Sequence, residues 1–254
     1  MKARVLAELE RLEREHSVRV LLAVESGSRA WGFASPDSDY DVRFVYAHRS
    51  EWYLSVFESR DVIEEMLPDS LDVSGWDLRK TLRLFSKCNL ALNEWLGSPI
   101  VYRETEFRAA LAQEIPNYFN GIAAVHHYRS MAERSLKENF VNGLISVKKL
   151  FYVLRPLLAC RWIRQTGTQP PTAFAELVTP EWVISEEKDW IAEMLEAKSR
   201  MVEAEPTRID PERAQSWTSE LEAYMSAAEF MASQPMPSPN TLDELFRMWI
   251  GQAR

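Results

Sequence analysis

Val5, Leu6, Leu9 and Leu12 recur at helical spacing with charges between them, which predicts an amphipathic helix at the start of the chain. Within SVRVLLAVE, residues 17 to 25, the β-branched apolar run VLLAV has the pattern of a buried strand. A small turn, SGSR, follows at once. From residue 39 the pattern alternates, with Tyr40, Val42, Phe44 and Tyr46 on one side and Asp39, Asp41, Arg43 and Val45 on the other. The apolar side of that strand should meet helices. RDVIEEMLPDSLDVSGW predicts a weaker strand pair turning at Pro68-Asp69, and a helix then runs from Asp77 through DLRKTLRLFSKCNLALNEWL to stop before Gly97 and Pro99.

Beyond about residue 105 the character changes. Helical patterns are separated by proline-rich turns such as TGTQPPTAF and PMPSPN, with no convincing alternating run. The last helix carries a capping-box pattern from Thr241 to Glu244 and an apolar face of Leu242, Leu245, Phe246 and Trp249. The expected organisation is an α/β (α+β) domain with a small mixed sheet over residues 1–105, followed by an α-helical domain over 106–254.

Composition narrows the function. A hydrophobic fraction of 46% with nine tryptophans is that of a folded globular protein, not of a disordered chain. A net charge of -8 argues against coating nucleic acid through a general positive field, so any nucleic-acid contact should be local. Cys88 and Cys160 stand far apart without a CxxC pair, which predicts two buried thiols rather than a disulfide framework or a zinc site. With no unbroken apolar run of a signal peptide or a membrane span, the expectation is a cytoplasmic protein.

The chemistry concentrates in ESGSRAWGFASPDSDYDVRFVY, residues 25 to 46. Residues two apart on a strand share a face and lie roughly 6.5 to 7 Å apart, so Asp39 and Asp41 present paired carboxylates. Such a pair suits a divalent ion such as Mg²⁺, which takes oxygen ligands and completes its shell with water and substrate phosphates. Gly27 and Ser28, directly after the first strand, offer backbone N–H groups and a hydroxyl to a phosphate, and Arg29 can add a charge. Neither the Walker A pattern nor the GxGxxG fingerprint is present. Asp37 belongs to a Ser35-Pro36-Asp37 turn. Adjacent His126 and His127 cannot form the i, i+4 pair of a helical zinc site, and the elbow of a serine hydrolase is absent.

The Gly-Ser turn after a strand, the spaced D-x-D and a later acid resemble the DNA polymerase beta-like nucleotidyltransferase superfamily. GSRAWGFASPDSDYDVRFVY, DVSGWDLRK, NEWLGSPIVY and KKLFYVLRPLLACRW together resemble its bacterial and phage branch associated with RNA repair. The resemblance implies that Gly27 and Ser28 hold the triphosphate of an incoming NTP. Asp39 and Asp41 match the metal-binding aspartates, for Mg²⁺ or Mn²⁺. Asp72, in the strand-like SLDVSG, fits the third acid best; Asp77 is the competitor, placed second because it opens a helix and has an ordinary capping explanation.

In LISVKKLFYVLRPLLACRWIRQ, Lys148, Tyr152 and Arg155 fall at i, i+4 and i+7, with Lys149 adjacent and Arg161 and Arg164 further on. A basic stripe containing an aromatic suits phosphate contact and base stacking, and equally a solvated helix face; the resemblance favours substrate contact. Pro156 is expected to kink or interrupt this helix. The resemblance further implies an RNA 3′ end as acceptor and an RNA ligase as pathway partner. Two alternatives stay open: nucleotidylation of a protein or small molecule, and a non-catalytic module that binds a nucleotide or a partner.

Overall fold

The computed structural model describes residues 1–36, 38–68, 70–200, 206–228 and 237–250. Asp37 of the expected Ser35-Pro36-Asp37 turn, Asp69 of the Pro68-Asp69 turn, and Pro235 and Met236 of the PMPSPN segment lie outside them. The chain divides into two compact units. Met1–Trp31, Ser38–Tyr118 and Met236–Arg254 form the first, and Gly32–Asp37 with Phe119–Pro235 form the second.

The first unit runs α1 (Lys2–His16), β1 (Arg19–Glu25), α2 (Gly27–Trp31), β2 (Tyr40–Ala47), α3 (Ser50–Tyr53), β3 (Val62–Leu67) and β4 (Leu71–Asp77). It continues through α4 (Leu78–Phe85), α5 (Leu90–Leu96), β5 (Val101–Glu104), α6 (Glu106–Gln113) and α7 (Ile115–Tyr118). Its five strands form one mixed sheet in the order β3-β4-β2-β1-β5, with β2 and β4 parallel and the other pairs antiparallel. β1 lies inside the sheet, which is why its run Leu21, Leu22, Ala23 and Val24 is apolar on both faces. On one side Val42, Phe44 and Tyr46 pack with Val5, Leu9 and Leu12 of α1, as the alternation predicts. On the other side Val45 and Ala47 meet Leu78, Leu82, Phe85, Leu92 and Trp95.

Gly75 of β4 stands opposite Phe44 in the parallel ladder, and a Cβ there would lie 2.3 Å from the Phe44 ring. Since both positions are buried, Gly75→Ala is expected to destabilise the first unit by about 1–3 kcal/mol, the ordinary cost of overpacking a dense core. Urea unfolding of the variant beside the parent checks this.

The helix expected from Asp77 to Leu96 is two. Cys88 adopts a left-handed φ of 56°, and the Asn89 side chain caps α5 by accepting from the backbone N–H of Leu92 at 2.9 Å. Cys160 is buried as expected, whereas Cys88 is half-buried at this break. β5, which follows Gly97-Ser98-Pro99, was not foreseen; it extends the sheet at the edge of β1.

The second unit runs α8 (Gly121–Asn139), β6 (Leu144–Ser146), α9 (Val147–Thr166), α10 (Phe174–Val178), α11 (Ser185–Arg200), β7 (Pro206–Arg208) and α12 (Pro211–Ala228). Pro156 lies inside α9 without interrupting it. Arg161 turns inward, where it donates to Glu220 through Nε and Nη2 and to Glu187 through Nη1, so it belongs to the packing of this unit and not to a solvent-facing stripe. β6 and β7 form a small antiparallel pair within a region that the pattern reads as wholly helical. Phe33, from the segment between α2 and β2, stacks on Phe151 at 5.1 Å and meets Phe174 edge-on.

These units differ from a single division near residue 105. Phe107 and Leu111 of α6 are fully buried in the core of the first unit, and α13 (Asn240–Ile250) adds Leu242, Leu245 and Trp249 to the same core. The apolar face of the last helix therefore covers the sheet unit rather than extending the helical one.

Candidate active site

The site is built where β1 ends and β2 begins. Ser26 donates its backbone N–H to the carbonyl of Asp41 at 2.8 Å, which brings the Gly-Ser turn alongside the D-x-D strand. Gly27 has φ 59°, and a Cβ on it would stand 2.2 Å from Oδ2 of Asp41. Gly27 is glycine here because the chain turns into left-handed backbone directly against a carboxylate. Arg29 ties the turn to the same strand: it donates to the carbonyls of Ser38 at 2.7 Å and Asp39 at 3.0 Å, and its guanidinium lies 3.8 Å above the Tyr40 ring. This is a bracing role, where the sequence suggested only an added charge. Ser28 follows on α2, half-buried.

β2 starts at Tyr40, so Asp39 sits exposed just before the strand and Asp41 within it. The parallel ladder pairs Asp41 with Asp72. Between their carboxylates stands Arg43, whose Nη2 donates to Oδ1 of Asp41 at 3.1 Å and to Oδ2 of Asp72 at 2.7 Å. Side-chain exposures of 20% for Arg43, 30% for Asp41 and 28% for Asp72 leave the cluster open to a ligand. Burial raises the carboxyl of Asp41 above its ordinary range; Arg43 pulls it back down, while Asp72 and Asp39 push it further up. Like charges are thus crowded at Asp41.

Asp77, the second candidate for the third acid, is occupied otherwise. It is buried, accepts the Tyr53 hydroxyl at 2.6 Å, and caps α4 by accepting the backbone N–H of Arg79 at 2.8 Å. Asp72, by contrast, pairs directly with Asp41 in the β2–β4 ladder.

Sequence reasoning missed Glu25, the last residue of β1. Its side chain is fully buried; Oε1 accepts the backbone N–H of Asp41 at 2.8 Å, and Oε2 accepts the Tyr102 hydroxyl. Burial raises its carboxyl, against the lowering effect of those two hydrogen bonds. Ser98 donates to the Glu25 carbonyl at 2.6 Å, so NEWLGSPIVY folds behind the site and steadies the strand that carries the turn. The available signal was a charged residue closing an otherwise apolar strand.

The donor set fits a hard divalent cation. Asp41 and Asp72 are paired across two strands, like charges crowd at Asp41, and its Oδ2 lies against the glycine turn. The three aspartates do not form a group whose ligand atoms all lie within 4.8 Å of one another; Asp41 and Asp72 share Nη2 of Arg43. Among the described residues one group of three meets that distance, Glu15, His16 and Glu65 on the surface, where Arg11 is paired to both glutamates. On α9 in the second unit, Lys148 and Lys149 are exposed and Tyr152 is half-buried, with Lys149 Nζ 5.6 Å from the Tyr152 ring centroid. Arg155 is buried at 2% exposure, so the expected basic face does not continue to it at the surface.

The family match to this chain makes the glycine turn pressed against a strand carboxylate, on a five-stranded mixed sheet flanked by helices, that of a polymerase beta-like nucleotidyltransferase. The chain belongs to the RNA repair pathway DNA polymerase beta family, RlaP, whose profile matches residues 1–248. It is 45% identical over 247 residues to YcgL of Bacillus subtilis (strain 168), itself described as uncharacterized, across 96% of this chain and 95% of that one. A crystal structure of a nucleotidyltransferase-like protein from Exiguobacterium sibiricum 255-15 matches 93% of this chain and 85% of that chain at 12% identity, with a TM-score of 0.30. No helix among the described residues is long and apolar enough to cross a membrane.

Proposed function

We propose that this chain transfers a nucleoside monophosphate from an NTP to a hydroxyl at an RNA 3′ end, with release of pyrophosphate. The observation that carries this reading is the placing of Asp41, with one oxygen against the Gly-Ser turn and the other held by Arg43, which also holds Asp72 of the paired strand. Gly27 and Ser28 would bind the β and γ phosphates. Asp39, Asp41 and Asp72 would hold Mg²⁺ or Mn²⁺, which when bound neutralises charge on the phosphates and on the departing pyrophosphate.

The remaining work falls to the chain's own groups. Glu25 fixes the backbone of Asp41, and Arg29 fixes the turn to Ser38 and Asp39, so the phosphate-binding and carboxylate halves keep one spacing. Asp72, engaged by Arg43 through Oδ2, would accept the acceptor hydroxyl at Oδ1 and orient it toward the α phosphorus. A bond forms from that hydroxyl oxygen to the α phosphorus while the bond to the pyrophosphate oxygen breaks, and the hydroxyl proton would leave to solvent by way of Oδ1 of Asp72.

The test is incubation with each α-labelled NTP, Mg²⁺ or Mn²⁺, and RNA fragments bearing free or blocked 3′ ends. Label on free 3′ ends is the expected outcome. Label on protein would keep the chemistry and replace the acceptor. Nucleotide binding without transfer under any condition would overturn the catalytic reading.

A further inference from the structure

The loop after α3 holds three large apolar side chains out in solvent: Leu54 is 81% exposed, Val56 92% and Phe57 82%. Single exposed apolar side chains are ordinary on a protein surface, but three within four residues make a contiguous knob. Its shape is fixed locally. The backbone N–H of Leu54 donates to the carbonyl of Glu51 at 3.1 Å, and that of Phe57 to Oγ of Ser55 at 3.2 Å. Glu51 and Glu58 flank the knob, both exposed.

The same unit carries a groove of about 560 Å³ between α4 and α13. Leu82, Tyr118, Leu242 and Phe246 give it an apolar floor, and Arg83 and Lys87 a basic wall. Arg79, one turn before Arg83, is engaged: it donates to the Tyr53 carbonyl at 3.0 Å, with its guanidinium 5.5 Å from the Phe246 ring centroid. Arg83 and Lys87 are exposed, and neither has an ion pair among the described residues. Asp243 in the same lining is paired with Arg247 at 3.8 Å, so it does not neutralise that wall.

We propose that this groove receives the loop 54–57 of a second copy of the chain, in a two-fold dimer. Charge and placement choose the occupant. An apolar floor with a basic wall is complementary to an apolar segment flanked by acids, and the loop is apolar with Glu51 and Glu58 beside it. Loop and groove adjoin on one surface, because Arg79 and Arg83 line the groove and also the smaller hollow lined by Phe57 and Glu58. A surface with knob and hole side by side is self-complementary, and a two-fold axis between them seats both knobs at once, with Glu58 of one copy facing Lys87 of the other. A stable interface buries about 800 Å² per partner, and the two-fold arrangement doubles what one loop in one groove supplies. This association is independent of nucleotidyl transfer.

Sedimentation velocity of the full chain over a concentration series tests it, with Phe57→Ser, Glu58→Lys, Lys87→Glu and the double variant Glu58→Lys, Lys87→Glu beside the parent. All three positions are exposed, so the variants leave the core intact. The parent is expected to be a dimer whose dissociation constant rises about 10²-fold in Phe57→Ser, since a two-fold interface counts each substitution twice. Each single charge variant should dissociate more readily than the parent, and the double variant should recover, because the reversed charges again face one another. A parent that stays monomeric throughout the series would overturn the proposal, as would a dimer unmoved by Phe57→Ser. Open-ended growth with concentration would overturn the two-fold arrangement. A double variant as weak as the single ones would overturn the pairing of loop with groove.

Discussion

Asp41→Asn is expected to lower nucleotidyl transfer by about 10²–10³-fold, the scale for removing one preorganised electrostatic group, while leaving the folded state as stable as the parent. The substitution keeps the shape of the side chain and removes its charge. That charge is the one crowded by Asp72 and Asp39 and held by burial above its ordinary range, so the ionised form at neutral pH costs the folded state free energy. Arg43 retains Asp72 and two carbonyls after the change. Transfer rates and urea unfolding measured on the same preparation would separate the two effects. An active Asp41→Asn would remove Asp41 from the catalytic set, and an inactive but strongly destabilised one would mark it as structural.

Gly27→Ala should cost about 1–2 kcal/mol of stability, because an L-residue is asked to hold φ 59°. It should also cost about 10²-fold in transfer rate, since the new methyl group would stand 2.2 Å from Oδ2 of Asp41 and must displace either that carboxylate or the turn. Gly32→Ala is the matched control. Gly32 also has positive φ, at 87°, yet a Cβ there meets nothing within 4 Å, so it should show a similar stability loss with transfer preserved. Equal activity in the two variants would show that the backbone conformation, not the approach to Asp41, is what requires glycine at position 27.

Gly27 shows where sequence reading reached its limit. The Gly-Ser turn and the D-x-D stand twelve residues apart in the chain, and their strand-turn-strand context is local, so both were visible as a candidate site. The glycine suggested close approach of a phosphate; the structure adds that the neighbour already in place is Asp41 itself. Arg43 was visible only as a polar residue on the outer side of an alternating strand. Its role depends on β4 pairing in parallel with β2, which sets Asp72 beside Asp41, and no periodicity in either strand states which strand it will pair with.

The same distinction runs through the rest of the fold. Helix and strand periods are properties of short stretches, because a side chain's direction follows from the backbone a few residues away, and so α1, β1, β2 and the apolar face of α13 could be read directly. Which core an apolar face covers depends on residues far off in the chain. Leu242, Leu245 and Trp249 join Phe107 and Leu111 in the sheet unit because those surfaces bury one another, an outcome that no local pattern encodes. Glu25 is the clearest case in the site: its position after an apolar strand is local, but its partners, the Asp41 amide and the Tyr102 hydroxyl, are gathered by the pairing of β1 with β2 and β5. Residue types, their spacing and the family resemblance they carry pointed to the class of chemistry, and strand order and burial decided which charges meet.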